Sequence, residues 1–274
     1  MALDARSAPS PSDELSELLP AVVDATTAAG DRLLATFSPD SRPAGRADMF
    51  AAGRRNEDLV LEHLRPALTT MRPDARWLPD DLEAARLPRG EWWVVDAVEG
   101  NVNHIHGMPE WGVTVTLVRD EAPVLTVVRQ PIGDLTYSAV TGGGAFCNDH
   151  RMQVSAKTDL DAAIVATGQA EVGQTDTYRR IGASVAALLG RALVVRAFVP
   201  STFPMLLVAS GRHEAFWQYG PVLPGVAAGA LFVREAGGTV SRVDGSAWRP
   251  GSPDIIVAAP GVHAAAVAVL RDIA

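Results

Sequence analysis

The chain has 274 residues, of which 47% are hydrophobic and 20% are charged, and this composition is typical of a globular protein with a continuous core. Its formal net charge of −8 argues against a nucleic-acid surface, which requires clustered lysine and arginine, and no apolar run reaches the roughly 18 residues that span a bilayer. The single cysteine, Cys147, excludes an internal disulfide and is typical of a reducing compartment, so we expect a cytoplasmic protein with no nucleic-acid or membrane partner.

The chain begins with a polar segment and two predicted helices. Residues 1–12 contain serine and proline but no apolar core, which predicts a short disordered tail. Apolar residues recur at helical spacing over residues 15–37, with Ser10 or Ser12 as the expected N-cap. A second stretch with the same spacing predicts another helix over residues 56–71.

The pattern then changes to short apolar and β-branched runs separated by turn residues. Such runs are typical of paired strands, and their short connections favour an antiparallel meander. The predicted strands are WWVVDAV at 92–98, WGVTVTLVRD at 111–120, APVLTVVRQ at 122–130 and LTYSAV at 135–140.

The second half alternates between strand and helix patterns. Strands are predicted at 162–168, 192–199, 213–220, 238–245 and 254–260, and helices at 175–190, 203–211, 224–238 and 261–274. This order predicts a layered α/β (α+β) fold. We expect a single domain over residues 13–274, which, if it has two lobes, divides into 13–155 and 156–274.

The stretch VVDAVEGNVNHIHG, residues 94–107, places two carboxylates at the end of a predicted buried strand. Asp96 and Glu99 are three positions apart and are followed by a glycine and polar residues. A divalent cation is one reason for such an arrangement, because Mg²⁺ prefers hard oxygen ligands. A lone Asp-x-x-Glu is weak evidence, and hydrogen bonding of both acids to backbone donors and arginines is the alternative.

Three longer stretches resemble a known family. NHIHGMPEWGVTVTLV at 103–118, GGGAFCNDHRMQVS at 142–155 and VAAGALFVREAGG at 226–238 are similar to segments of the inositol monophosphatase family, and the order of elements agrees over residues 15–274. The resemblance implies a layered αβαβα sandwich, a homodimer, and Mg²⁺-dependent hydrolysis of small phosphate monoesters.

The resemblance also implies which residues would bind Mg²⁺. Asp80, in WLPDD, matches a liganding glutamate of the family, and Asp96 matches the first acid of its strand-end motif. Val98 offers a backbone carbonyl, and Glu99 matches the second acid of that motif with one more methylene. These four residues imply one Mg²⁺ site at most, and the expected cofactor is therefore either none or a single Mg²⁺.

Other positions of the same cleft depart from the family pattern. Asn101 stands in place of a threonine that orients the attacking water, and Gly225 stands in place of the last metal-ligating aspartate. Gln218 replaces a substrate-binding glutamate, and Val199, Pro200 and Ser201 replace a turn of small residues that lines the substrate pocket. These residues, with Gly225, are the predicted substrate-binding set.

These departures favour the hypothesis of a remodelled cleft in an enzyme that acts on a small-molecule substrate by acid–base chemistry. The reaction would be a cyclisation, an isomerisation or an elimination in specialised metabolism. The predicted catalytic residues are Asp80, Asp96, Glu99, Asn101 and His104.

Two paired carboxyls with different pKa values can divide the roles of acid and base. His104 would be a proton carrier if it faced the cleft; a packing role is its alternative. Two rival hypotheses remain for the chain: a Mg²⁺-dependent phosphomonoesterase acting on a sugar, polyol or nucleotide phosphate, and a non-catalytic relative that binds a ligand or partner.

Overall fold

Two long helices begin the computed structural model, which describes residues 11–79, 86–170, 173–220 and 222–273. Helix α1 comprises Pro11–Leu34 and α2 comprises Arg46–Met71. Ser12 lies inside α1 and is therefore not its N-cap, whereas Ser10 and most of the predicted tail lie outside the described residues.

Helix α2 begins ten residues before the predicted start at Asn56, so that boundary was wrong. The first turns of α2 bury only Gly53 and Asn56, and the regular apolar stripe of Val60, Leu64 and Leu68 begins after them. The prediction rested on the periodic spacing of that stripe, so it missed the amino-terminal part of the helix, which lacks such spacing.

The predicted meander is confirmed and forms a seven-stranded sheet in the order β1 to β7. Only the first pair, β1 with β2, is parallel. A short helix, α3, comprises Asn101–Ile105 and follows the second strand. The strands are β1 (Arg76–Trp77), β2 (Glu91–Glu99), β3 (Gly112–Arg119), β4 (Ala122–Gln130), β5 (Leu135–Val140), β6 (Gly144–Cys147) and β7 (His150–Arg151).

The second half of the chain forms a five-stranded sheet and four helices. The strand order is β11-β12-β10-β8-β9, with β8, β9 and β10 parallel to one another. The strands are β8 (Ile164–Thr167), β9 (Val194–Ala197), β10 (Ala215–Tyr219), β11 (Thr239–Ser241) and β12 (Asp254–Ala258). The helices are α4 (Thr175–Leu189), α5 (Thr202–Ala209), α6 (Leu223–Glu235) and α7 (Pro260–Leu270).

Three buried clusters show how the layers stack. One cluster lies between α1, α2 and the outer face of the seven-stranded sheet. A second joins the inner faces of both sheets through α5 and α6, and a third lies between the five-stranded sheet, α4 and α7. The layers therefore run αβαβα, as predicted, and the ends of β2, α5 and α6 meet in the middle layer. None of the helices in the described ranges combines the length and apolar character needed to cross a membrane.

Candidate functional site

An irregularity in strand pairing brings Asp96 and Glu99 together. Residues three apart on a regular strand point to opposite faces of the sheet. Here Asp96 pairs with Thr114 and Glu99 pairs with Gly112, so β2 has one more residue than β3 across this step. Such a bulge re-aims the side chains beyond it, and the carboxyls of Asp96 and Glu99 lie within hydrogen-bonding reach of each other.

The two carboxyls have different surroundings. Glu99 is only 1% exposed and its Oε1 accepts a hydrogen bond of 3.0 Å from the backbone N–H of Thr202. Asp96 is half-buried and its Oδ1 accepts a hydrogen bond of 3.1 Å from the N–H of Val98.

The electrostatics of this pair follow from its burial. Burial and then the charge of Asp96 raise the pKa of Glu99 well above its ordinary value. Burial also raises the pKa of Asp96, and its hydrogen bonds to Glu99 and Val98 oppose that shift. Two carboxyls in contact favour retention of one proton between them, and the raised pKa values of Asp96 and Glu99 are in the direction that such sharing requires.

A third acid, Glu57 of α2, lies on the other side of Asn101. Asn101 Nδ2 donates to Glu57 Oε1 at 3.1 Å and to the Gly53 carbonyl at 3.2 Å, while its Oδ1 accepts from Asn56 Nδ2 at 3.0 Å. Partial burial raises the pKa of Glu57, and the charge of Asp96 adds to that rise. Asn101, a predicted catalytic residue, therefore joins α3 to Glu57 and its neighbours on α2.

Glu57 is a site residue that the predicted set did not include. It lies within the polar segment GRRNED, before the apolar stripe of α2, where the family resemblance places an upstream metal-holding acid without a certain alignment. The buried positions Gly53 and Asn56 show that this segment packs against α3, which is the only local signal that points to it.

The turn before α5 is held against the strand end. Gly100 has φ +80°, and a Cβ at this position would lie 2.6 Å from the Glu110 carbonyl oxygen and 3.0 Å from Pro200 Cγ. Asn103 Nδ2 donates to the Val199 carbonyl at 2.9 Å. Only glycine allows this close approach, which brings Val199 and Pro200 of the predicted substrate-binding set beside Glu99.

The remaining predicted binding residues converge on the same place through Thr202. Thr202 donates its backbone N–H to Glu99 and its hydroxyl to the Gly225 carbonyl at 3.0 Å. Ser201 Oγ donates to Gln218 Oε1, and it lies 3.9 Å from the position of a Cβ built on Gly225. Fold topology thus places Ser201, Gln218 and Gly225 around the buried end of the acid pair.

His104 faces a different set of neighbours. Its ring packs against Trp111 and Phe37, with centroids 4.7 and 5.5 Å away, and is 4% exposed. Its Nδ1 lies 3.1 Å from Asn56 Nδ2 and its Nε2 lies 3.3 Å from the Leu33 carbonyl. Burial lowers the pKa of His104, which favours a neutral ring that accepts at Nδ1 and donates at Nε2. This geometry favours the packing alternative over proton transfer.

The donor atoms fit one divalent cation better than a pair. Asp96, Glu99 and the carbonyl of Val98 offer hard oxygen atoms at one strand end, whereas Gly225 offers no side-chain oxygen. Asp80 lies outside the described residues. Within the described ranges, no group of three or more His, Cys, Asp or Glu side chains has the spacing of a metal site. Asp96, Glu99 and the Val98 carbonyl are thus the oxygen donors that the described residues bring together at this strand end.

Comparisons with known proteins agree over almost the whole chain. The model of the inositol monophosphatase family matches residues 16–273. The inositol-1-monophosphatase of Rhizobium meliloti (strain 1021) is 31% identical over 236 residues, which cover 84% of this chain and 87% of that relative. The Nus factor SuhB of Pseudomonas aeruginosa is 34% identical over 158 residues, or 56% of this chain and 57% of that relative.

A solved structure shows the same fold. The extragenic suppressor protein suhB from Bartonella henselae superposes with a TM-score of 0.77 at 27% identity, and the match covers 93% of this chain and 99% of that one. The predicted resemblance and the layered sandwich are both confirmed. This chain belongs to the inositol monophosphatase family.

Proposed function

We propose that this chain is an enzyme that acts on a small organic substrate by proton transfer at the Asp96–Glu99 pair. The observation that carries this proposal is the bulge in β2, which places a half-buried carboxyl against a fully buried one. Paired carboxyls in such surroundings can act as acid and base near neutral pH. Cyclisation, isomerisation and elimination are the reaction classes that need only this chemistry.

Asp96 and Glu99 would have different roles because their carboxyls differ in exposure. Asp96 is the more accessible carboxyl and would accept a proton from the substrate, while Glu99 is too buried to touch it. Glu99 would act as a positioning residue that holds the shared proton, and the Thr202 N–H stabilises its ionised form. Glu57, whose raised pKa keeps a larger fraction protonated, would donate a proton from the opposite side of Asn101. A catalytic role for Asp80 and for His104 stays a prediction.

The substrate would meet polar groups on the α5 side of the cleft. Ser201 Oγ donates to Gln218 Oε1 and keeps acceptor capacity for a ligand, while Gln218, at 3% exposed, would hold Ser201 in position. Val199 is 41% exposed at the same turn and would contact an apolar part of the ligand.

A Mg²⁺-dependent phosphomonoesterase is the second candidate, and Glu57 favours it. The charge of Asp96 acts on Glu57, so a third acid lies near the strand-end donors Asp96, Val98 and Glu99. Asp96, Glu99 and the Val98 carbonyl would hold a single Mg²⁺, which when bound polarises a phosphate and activates water, with Glu57 outside the ligand set. Relatives and neighbours carry names such as inositol-1-monophosphatase, which supports this candidate at the level of the family.

One assay separates the two candidates. Phosphate release from inositol monophosphate and 2'AMP would be measured with Mg²⁺ and with chelator, for the native chain, Asp96→Asn and the exposed control Asp176→Asn. We expect no Mg²⁺-dependent release. We also expect the native chain to catalyse deuterium incorporation from D₂O into members of a panel of carbonyl compounds. The rate of incorporation should fall at least about 100-fold in Asp96→Asn and stay unchanged in Asp176→Asn, since general acid–base groups contribute that much. Mg²⁺-dependent release lost only in Asp96→Asn would support the phosphatase instead, and neither activity would support a non-catalytic relative.

We also propose that two copies of the chain pair through the edge of the five-stranded sheet. Strand β9 lies at that edge, and Leu189, Leu193, Val194 and Val199 near it are between 41% and 63% exposed. An uncovered apolar edge favours association. Light scattering is expected to give twice the monomer mass for the native chain and for the control Leu34→Glu, and the monomer mass for Leu193→Glu. A monomeric native chain at micromolar concentration would refute the pairing.

A further inference from the structure

A groove of about 370 Å³ lies between α2 and α3. Glu57 and Asn101 line its inner end, where Asn101 Nδ2 donates to Glu57 Oε1 at 3.1 Å and the charge of Asp96 acts on Glu57. Gly53 forms part of the lining, and a Cβ there would lie 3.2 Å from Asn101 Nδ2. The absence of a side chain at Gly53 therefore leaves room for Asn101 to lie close to α2 at this end of the groove.

The walls of this groove are apolar and unusually exposed. They are formed by Met49, Phe50, Val102 and Ile105, and Phe50 and Val102 are 60% and 45% exposed. Met49 and Phe50 lie four and three residues before Gly53 on α2, and Val102 and Ile105 are three residues apart on α3, so each helix directs two apolar side chains to the groove. Exposed large apolar side chains that line a concavity are typical of a ligand site.

The rim of the groove is cationic, although the chain as a whole carries a formal charge of −8. Arg46 and Arg54 both line it, and the Arg46 guanidinium lies 6.0 Å from the centroid of the Phe50 ring. Among ion pairs within the described part of the chain, neither arginine has a carboxylate partner within 4.0 Å. With about 1.5 Å of rise per residue, Arg46 lies roughly 16 Å along α2 from Glu57.

We propose that this groove binds the apolar arm of an organic anion, with the hydrocarbon or aromatic body on Phe50 and Val102 and the anionic group near Arg46 and Arg54. This inference rests on the proposed function, because it takes Asp96 as the reaction centre that the inner end of the groove reaches. It names the substrate class as an amphipathic acid and not a polyol.

The test uses phenylalkanoates of increasing length as probes. Phenylacetate, 4-phenylbutyrate and 6-phenylhexanoate would be titrated calorimetrically into the full chain in chelating buffer. We expect the Kd to fall two- to fourfold for each added methylene, since full burial of a methylene gives about fourfold. Phe50→Ser is expected to remove this dependence, and the matched control Leu34→Ser, at a side chain 37% exposed outside the groove, is expected to keep it. The double variant Arg46→Gln, Arg54→Gln should raise the Kd of every probe by a similar factor.

A Kd independent of length, or the same dependence in Phe50→Ser as in the native chain, would overturn the proposal. Phe50 is mostly exposed, so its replacement should not unfold the protein, and Val102→Ser gives a second variant with the same expectation. If the native chain shows the length dependence but no proton exchange from D₂O, the proposed chemistry fails while the groove stands. If proton exchange occurs but the Kd does not depend on the length of the probe, the proposed role of the groove fails and the proposed chemistry stands.

Discussion

Replacing Glu99 by glutamine is expected to raise the melting temperature of the metal-free protein at pH 8. Burial and the charge of Asp96 raise the pKa of Glu99 above the value of about 4.3 that it has in an unfolded chain. Between these two pKa values the folded state binds more protons than the unfolded state, so the free energy of unfolding falls as the pH rises. An amide at position 99 cannot ionise, and it can still accept from the Thr202 N–H and donate to Asp96.

The matched variant Glu99→Ala separates this effect from a loss of packing. It leaves the buried Thr202 N–H without its acceptor, which costs about 1–3 kcal/mol at every pH. Calorimetric melts from pH 5 to pH 8 in chelator should show a steeper decline for the native chain than for Glu99→Gln, with Glu99→Ala lowest at pH 5. At about 2–4 °C per kcal/mol for a chain of this size, these differences are readily measured. Parallel pH profiles for the native chain and Glu99→Gln would contradict the proton-sharing pair.

Placing an aspartate at Gly225 is expected to create a cation site of higher affinity. A Cβ at Gly225 has room, because its nearest neighbour, Val222 Cγ1, would lie 3.5 Å away. The new carboxylate would lie in the first turn of α6, where the helix dipole favours a negative charge. It would also lie near Glu99, because Thr202 hydrogen-bonds both to Glu99 and to the carbonyl of residue 225. We expect calorimetric titration of Mg²⁺ to show binding at least about tenfold tighter than in the native chain.

The Gly225→Asp variant is expected to be less stable than the native chain without Mg²⁺ and to gain stability when Mg²⁺ is added. Without metal, the added charge repels Asp96 and Glu99 and lowers the melting temperature. With Mg²⁺ at 100 times its Kd, binding adds about 2.7 kcal/mol to the folded state. Gly225→Asn has a similar volume without the charge, and should bind Mg²⁺ no more tightly than the native chain does. Equal behaviour of the two variants would show that position 225 does not contribute to a cation site.

Part of the site was predictable because it depends on local sequence. The acids of DAVEGN end a strand whose apolar run was visible in the sequence, and the β-branched runs after it predicted the meander. These patterns arise from side chains that pack next to their own neighbours in the chain. Motifs at 103–118, 142–155 and 226–238 then connected those elements to one family and one fold.

Other features required contacts between distant segments. The bulge between Asp96 and Glu99 depends on how β2 pairs with β3, and the place of Glu57 depends on packing of α2 against α3. His104 was predicted to carry protons only if it faced the cleft, yet its ring packs against Phe37, which follows α1, and Trp111, which precedes β3.

The sequence by itself thus determined the layers and the strand-end acids, since local periodicity and motif spacing are encoded in consecutive residues. Only the tertiary structure decided that Thr202 joins Glu99 to Gly225 and that Glu57 faces Asn101, because hydrogen bonds across 23 to 103 positions leave no periodic signal in the chain.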